Sequence, residues 1–390
     1  MNRLTLHAFT LDMPVNHRFR HTAVAGTCTQ SVWVKIEDSA GNRGYGEACP
    51  RESATGESLC SALAYIETWA PVWCANIHDL AALRVWVDVH RIAIDANPAA
   101  WCAVELALLD LFARRAGITV EELLGLERPA GECTYTAVLG DTSPPVFEAT
   151  LARTVAAGFE RYKIKLVGRS AHDRAKVAAL RAVGIRPAHV RADTSNLFAN
   201  ARDAVRYLDH LDFPFGALEA PVQPTDLQGL RAVARACDCA IVLDEILACG
   251  TQIERLSADV SWLINVQVSK MGGLLRSIAT ANKAVTYGHG VIVGAHFSAT
   301  TVLSRAALTL AQSCRKALLQ QRGEHVMHLL QHDVVPDSFA IGAGARYAVN
   351  VVAGGPGLGV ERVAVSTAYC MSSTAFPDAH DAGLRPTRQG

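Results

Sequence analysis

Apolar and polar residues alternate singly along Ser31-Val32-Trp33-Val34-Lys35-Ile36, the period of a half-buried strand. Asp38-Ser39-Ala40-Gly41-Asn42 supplies turn chemistry before Gly44-Tyr45-Gly46-Glu47, so the spacing predicts a hairpin. From about residue 58 to 126 apolar residues recur at three and four instead. The pattern is clearest over 99–112, where Trp101, Val104, Leu108 and Leu111 share one side and predict an amphipathic helix with a wide buried face. Strands followed by helices predict an α+β domain over residues 1–130, closed by Arg128-Pro129-Ala130-Gly131.

The texture then changes to short apolar runs separated by helical stretches. Strands are expected at 134–139, 161–166, 190–193, 216–219, 240–244, 262–267 and 291–295, with an eighth near 325–330. Seven or eight βα units within residues 131–350 predict a parallel barrel, an α/β fold of the TIM type. An open doubly wound sheet is the alternative, but no G-x-G-x-x-G follows the first strand. The turn Gly354-Gly355-Pro356-Gly357-Leu358-Gly359 is expected to bring residues 351–365 back to complete the first domain. Residues 366–390, rich in Ser, Thr, Pro and Gly, are expected to be a flexible tail.

Composition narrows the function. The 390 residues are 50% hydrophobic and 19% charged, which suits a large buried core. Thirty-seven Lys and Arg balance 37 Asp and Glu, removing the electrostatic reason to expect nucleic acid or an anionic membrane as partner. No apolar run approaches the ~20 residues of a membrane span, and the first residues have no secretory apolar region. A cytoplasmic protein with a small-molecule partner is expected. Its 11 Cys are odd in number and scattered, which suits reduced thiols, and Cys237-Asp238-Cys239 has no second pair at zinc spacing.

Barrels of this kind do their chemistry where strands end, at the carboxyl side. Three consecutive expected strands close on a carboxylate, Asp193, Glu219 and Asp244, each about one βα unit from the next. One such residue alone reads as a helix N-cap. Three in register repel one another unless a cation neutralises them, and all-oxygen ligation suits Mg²⁺. The preceding strand carries Tyr162-Lys163-Ile164-Lys165, where a period of two puts Lys163 and Lys165 on one face. The whole chain has only 7 Lys. Beside a cation and partly desolvated, a lysine can act as a base near neutral pH. Together these parts suit removal of a proton α to a carboxylate through an enediolate.

Taken as a set, these residues resemble the enolase superfamily, in the branch of muconate-lactonizing enzymes and dipeptide epimerases such as the L-Ala-D/L-Glu type. The similarity runs from about residue 10 to 362 and includes Gly272-Gly273 and Gly355-Pro356-Gly357-Leu358-Gly359. Gly46-Glu47-Ala48-Cys49-Pro50 and Thr55-Gly56-Glu57-Ser58 are similar to the specificity loop of dipeptide epimerases. The resemblance implies a capping domain over a (β/α)7β barrel, with Thr136 at a substrate-side position on the first barrel strand.

The chain departs from that pattern at named positions. Gln267 stands where the branch carries a second lysine base, and an amide exchanges no proton near neutral pH. Lys270 follows at a turn and is expected at the surface. His296 and Ser298 follow the seventh strand, and a histidine there resembles the mandelate racemase branch. His296 is expected either to supply the second acid/base, oriented by Gln267, or to bind a substrate carboxylate. Residues 326–333 contain no Asp-x-Asp to hold a substrate ammonium. The first reading is therefore a Mg²⁺-dependent epimerase or racemase of a dipeptide or modified amino acid, with homo-oligomerisation open. A lyase, either dehydratase or cycloisomerase, is the second. A catalytically impaired relative that binds a carboxylate is the third.

Overall fold

The computed structural model describes residues 3–14, 28–130, 132–244, 250–294, 299–314, 346–348, 355–360 and 370–376. Strands β1 (Leu4–Pro14), β2 (Cys28–Asp38) and β3 (Arg43–Ala48) form an antiparallel meander. Helices α1 (Glu52–Thr55), α2 (Leu59–Asn76), α3 (Leu80–Val89), α4 (Arg91–Ala96), α5 (Pro98–Ala116) and α6 (Val120–Leu124) follow. Helix α5 is not one-sided as its period predicts. Every residue from Pro98 to Ala113 is buried, Glu105 and Asp110 included, because α5 lies between the sheet and the barrel.

Glycine makes that placement feasible. A Cβ on Gly46 would lie 1.9 Å from the Ala103 carbonyl oxygen, and one on Gly44 would lie 2.1 Å from that of Ala107. The strand therefore rests on the helix backbone itself, an approach only glycine permits. Gly46→Ala is expected to cost roughly 3 kcal/mol by overpacking. Urea unfolding monitored by circular dichroism measures this, and a wild-type midpoint would rule out the close approach.

Strand β4 (Glu132–Thr134) leads into the α/β part: β5 (Ala137–Leu139), α7 (Pro144–Ala156), β6 (Tyr162–Lys165), α8 (Ser170–Ala182), β7 (Val190–Asp193), α9 (Ala201–Leu211) and β8 (Ala217–Glu219). It continues with α10 (Leu227–Cys237), β9 (Ala240–Leu243), β10 (Trp262–Val266), α11 (Leu274–Thr286), β11 (Gly290–Val293) and α12 (Thr301–Ser313). Seven strands, β5 to β11, pair in parallel and in sequence order, the wall of a (β/α) barrel. Ala217, Val242, Leu263 and Ile292 pack together as an inner layer, while the alternate residues Leu218, Ile241, Ile264 and Val291 join the core under the helices. The eighth strand expected near 325–330 lies outside the described residues.

Two expectations change. The run 134–139 is two strands, because β4 turns away to pair antiparallel with β12 (Arg346–Ala348) while β5 joins the barrel. Within the expected tail, β13 (Cys370–Phe376) pairs antiparallel with β1, giving a sheet of order β13-β1-β2-β3. An edge strand leaves a row of backbone donors and acceptors open, and a distant segment satisfies them here. Among the described residues no helix is long and apolar enough to cross a membrane.

Carboxylates of the first domain anchor the barrel helices. Glu47 on β3 accepts bonds from Thr300 N, Thr300 Oγ1 and Leu303 N at 2.7–3.1 Å, capping α12 from outside. Glu105 on α5 accepts Leu275 N at 2.9 Å at the start of α11. A Cβ on Gly273 would lie 2.4 Å from Glu105 Oε1, so the Gly272-Gly273 pair leaves room for this carboxylate. Burial pushes Glu105 up to about 7 against the opposing backbone N–H of Leu275 and indole of Trp101. The folded chain thus holds a proton that the unfolded chain releases near 4.5. That contribution is full below about 4.5 and is lost as pH rises through about 7. Glu105→Gln is expected to flatten this loss, so urea midpoints of wild type and variant diverge between pH 5 and 8. Parallel midpoints would show that Glu105 is ionised throughout.

Candidate active site

The parallel register brings the lysines and carboxylates together. Lys165 on β6 pairs with Asp193 on β7, and Asp193 pairs with Glu219 on β8, so three strands end at one level. Paired residues point to the same face, here the barrel interior. Lys163 Nζ lies 3.2 Å from Asp193 Oδ2 and 2.9 Å from Glu219 Oε1, wedged between them. Lys165 Nζ lies 3.1 Å from Asp193 Oδ1 and also contacts the Ser195 hydroxyl. Asp244 follows β9 and accepts Gln267 Nε2 at 3.1 Å. Just beyond Asp193 and Glu219 the backbone turns sharply: Ser195, Asn196 and Ala220 have φ of 46°, 58° and 49°. Such left-handed non-glycine residues cost energy and cluster at functional sites.

The charges are unequal. Burial pushes the Glu219 carboxyl up to about 7; Lys163 and Arg191 oppose this, and the charges of Asp193 and Asp244 add to it. Burial also acts to raise Asp193, but Lys163 and Lys165 outweigh it and hold the carboxyl at about 2. Asp244 is lowered in the same way against its burial, by Lys270 and Lys163.

As the side chains stand, no three His, Cys, Asp or Glu among the described residues converge tightly enough to hold an ion. The lysine ammonium groups fill the positive position instead, each in contact with a carboxylate. The donor set nonetheless fits a hard divalent cation. It is all oxygen, and the three charges are close enough for Asp193 and Asp244 to raise Glu219. Glu219 Oε2 is buried without a hydrogen bond among the described residues, although Arg191 Nε lies 3.1 Å away.

Other expected residues fall differently. Lys270 is not at the surface: it is 2% exposed, bonds Asn265 O at 3.2 Å and meets Asp244 through both side chain and backbone. The segment after β10 folds back into the barrel mouth, where a lysine meets a half-buried carboxylate. Thr136 precedes β5 at the opposite end of the strands and lines a small cavity with Arg161, Arg191 and Gly216, so the structure does not bring it to the carboxylates. In the stretch similar to a specificity loop, Glu47 and Glu57 are buried helix caps, Glu57 accepting Ala99 N and Ala100 N at 2.7 and 2.9 Å. His296 and Ser298 lie outside the described residues.

Sequence reasoning missed two supports. Arg191 shares the inner face with Asp193, which the period of two in Val190-Arg191-Ala192-Asp193 already signals. Lys176 on α8 is 1% exposed and donates to the Lys165 carbonyl at 2.6 Å, Asp141 at 3.0 Å and Asp173 at 3.2 Å. Asp173 in turn accepts Val167 N, Gly168 N and Tyr207 Oη at 2.7–3.0 Å, so the turn behind Lys165 is fixed. No sequence period signals this, since its partners come from three separate segments.

Comparison with known proteins agrees with this fold. The model of the enolase C-terminal domain-like family matches residues 147–363. That of the mandelate racemase/muconate lactonizing enzyme N-terminal domain matches residues 6–125. A hydrophobic dipeptide epimerase of Enterococcus faecalis is 28% identical over 284 residues, 72% of this chain and 78% of the relative. An L-Ala-D/L-Glu epimerase of Bacillus subtilis is 27% identical over 318 residues, 77% of this chain and 86% of the relative. The crystal structure of a dipeptide epimerase from Enterococcus faecalis V583, complexed with Mg and the dipeptide L-Leu-L-Tyr, shares the fold. It has a TM-score of 0.76 at 24% identity, covering 92% of this chain and 99% of that one. With the barrel wall, the antiparallel sheet and both family models in agreement, the chain belongs to the enolase superfamily, in its mandelate racemase/muconate lactonizing enzyme group.

Proposed function

We propose that this chain is a Mg²⁺-dependent epimerase or racemase of a dipeptide or modified amino acid, acting on the carbon α to a carboxylate. The observation that carries the reading is the placement of Lys163 and Lys165 on the inner face of β6, against carboxylates ending the next strands. Relatives named as dipeptide epimerases support the substrate class. Asp193, Glu219 and Asp244 would hold the cation. When bound, Mg²⁺ supplies positive charge for a carboxylate whose neighbouring proton is leaving.

Exposure divides the two lysines. The Lys165 side chain is 30% exposed and reaches the site opening, so it takes the proton. Lys163 is 12% exposed and held by two carboxylates, so it remains an ammonium that stabilises developing negative charge. Lys176 and the network behind it fix the Lys165 backbone, limiting where Nζ can swing. His296 is proposed as the acid/base on the other face of the substrate.

Gln267 gives the lyase reading its support. Its amide donates to Asp244, a structural task, and one base with a general acid suffices for β-elimination. The test is α-proton exchange in D₂O with Mg²⁺, followed by NMR over dipeptides, N-acyl amino acids and sugar acids. Label entering both configurations at the α-carbon establishes epimerisation. Loss of a β-substituent establishes the lyase. No exchange across the panel, with Mg²⁺ bound, would overturn both in favour of a carboxylate-binding role.

A further inference from the structure

The turn joining α10 to β9 carries two thiols at the barrel end opposite the carboxylates. Cys237 ends α10, Asp238 takes left-handed backbone with φ 47°, and Cys239 immediately precedes β9. Both thiols are free and half-buried, and they stand two residues apart across this turn. Both line a cavity of about 330 Å³ walled by Phe213, Phe215 and Leu218, with Asp209 and Asp212 at the same opening. Most other described cysteines lack such access: Cys49, Cys74, Cys102 and Cys314 are buried, and Cys60 is exposed but solitary. A metal is not the natural occupant, since no third His, Cys, Asp or Glu among the described residues completes a ligand group.

We propose that Cys237 and Cys239 form a thiol-exchange site that takes a low-molecular-weight disulfide from this cavity. Cys237 thiolate attacks one sulfur of the small disulfide, forming a mixed disulfide and expelling the first small thiolate. Cys239 then gives its proton to solvent and attacks Cys237 Sγ, expelling the second. Two protein thiols are oxidised to one intrachain disulfide, and the small disulfide is reduced to two thiols. The assignment of roles follows the asymmetry of the pair. The neighbouring Cys239 thiol lowers Cys237 against burial and the charge of Asp209, whereas Cys237, then burial, pushes Cys239 well above the usual range. The lowered thiol is the better first nucleophile, and its neighbour, two residues on in the same turn and lining the same cavity, is placed to resolve.

The test incubates the full-length protein, folded and with Mg²⁺, with glutathione disulfide, then quenches in acid and maps peptides by mass spectrometry. The fragment holding residues 237–239 is expected to lose two hydrogens and to recover them with dithiothreitol, while Cys60 gains only a glutathionyl group. Cys239→Ser is expected to trap one glutathionyl group on Cys237. Cys237→Ser is expected to react roughly tenfold more slowly at Cys239. A pair that stays reduced while Cys60 is modified would overturn the proposal, and wild-type mapping alone gives that result whether or not the variants fold. Equal rates for the two single variants would overturn the assigned order of attack.

Discussion

Lys165→Ala is expected to slow α-proton exchange by about 10²–10⁴-fold, the usual span for loss of a positioned general base. Lys165 Nζ is the more exposed of the two ammonium groups on β6, and its neighbours, Asp193 and the Ser195 hydroxyl, hold it at the opening. Removing it leaves Lys163 wedged between Asp193 and Glu219, out of position to take its place. Substrate and Mg²⁺ binding should change far less than exchange, because the three carboxylates remain. Lys163→Ala should behave differently: it removes the charge that Asp193 and Glu219 share, so cation affinity and exchange change together. Isothermal titration with Mg²⁺ alongside exchange measured by NMR separates the two. Exchange by Lys165→Ala within threefold of wild type would remove Lys165 from the chemistry.

Which parts of this site were legible follows from how local their signals are. Lys163, Lys165, Asp193, Glu219 and Asp244 lie within strands or one residue beyond, where side-chain direction follows from a period of two and barrel register does the rest. Lys270 was not legible. It lies beyond β10 in a Gly-rich turn, and only the path of the chain shows that this turn folds inward onto Asp244. The carboxylates of α5 failed for a related reason. A helical period marks one buried face, but Glu105 is satisfied by α11 and Asp110 by Tyr45 N and Leu358 N, partners distant in sequence. Strand β13 is the same problem in a sheet, since its reason to form is the open edge of β1 more than 350 residues earlier. Local chemistry could be read; buried polar partners contributed by distant segments could not.

The second large effect is on stability, at Glu121 and Arg305. Both side chains are fully buried, Glu121 on α6 and Arg305 on α12, joining the first domain to the barrel. Arg305 reaches the carboxylate with two nitrogens at 2.7 and 3.0 Å, and Thr309 Oγ1 bonds both partners. Burial acts to raise Glu121, but the bonds and charge of Arg305 outweigh it and lower the carboxyl. The pair's contribution is therefore full above the ordinary glutamate value and is lost as pH falls through the lowered folded one. Arg305→Met alone leaves a desolvated carboxylate without its countercharge and is expected to cost about 3–5 kcal/mol at pH 7. Glu121→Leu alone strands the guanidinium at a similar cost. The double variant is expected to recover most of the loss, because two apolar side chains carry no desolvation penalty. Urea unfolding of all four proteins measures the coupling directly. A single variant costing under about 1 kcal/mol would mean that water reaches the pair and that α6 does not seal against α12. A double variant as unstable as the singles would place the loss in packing, with the ions no longer its cause.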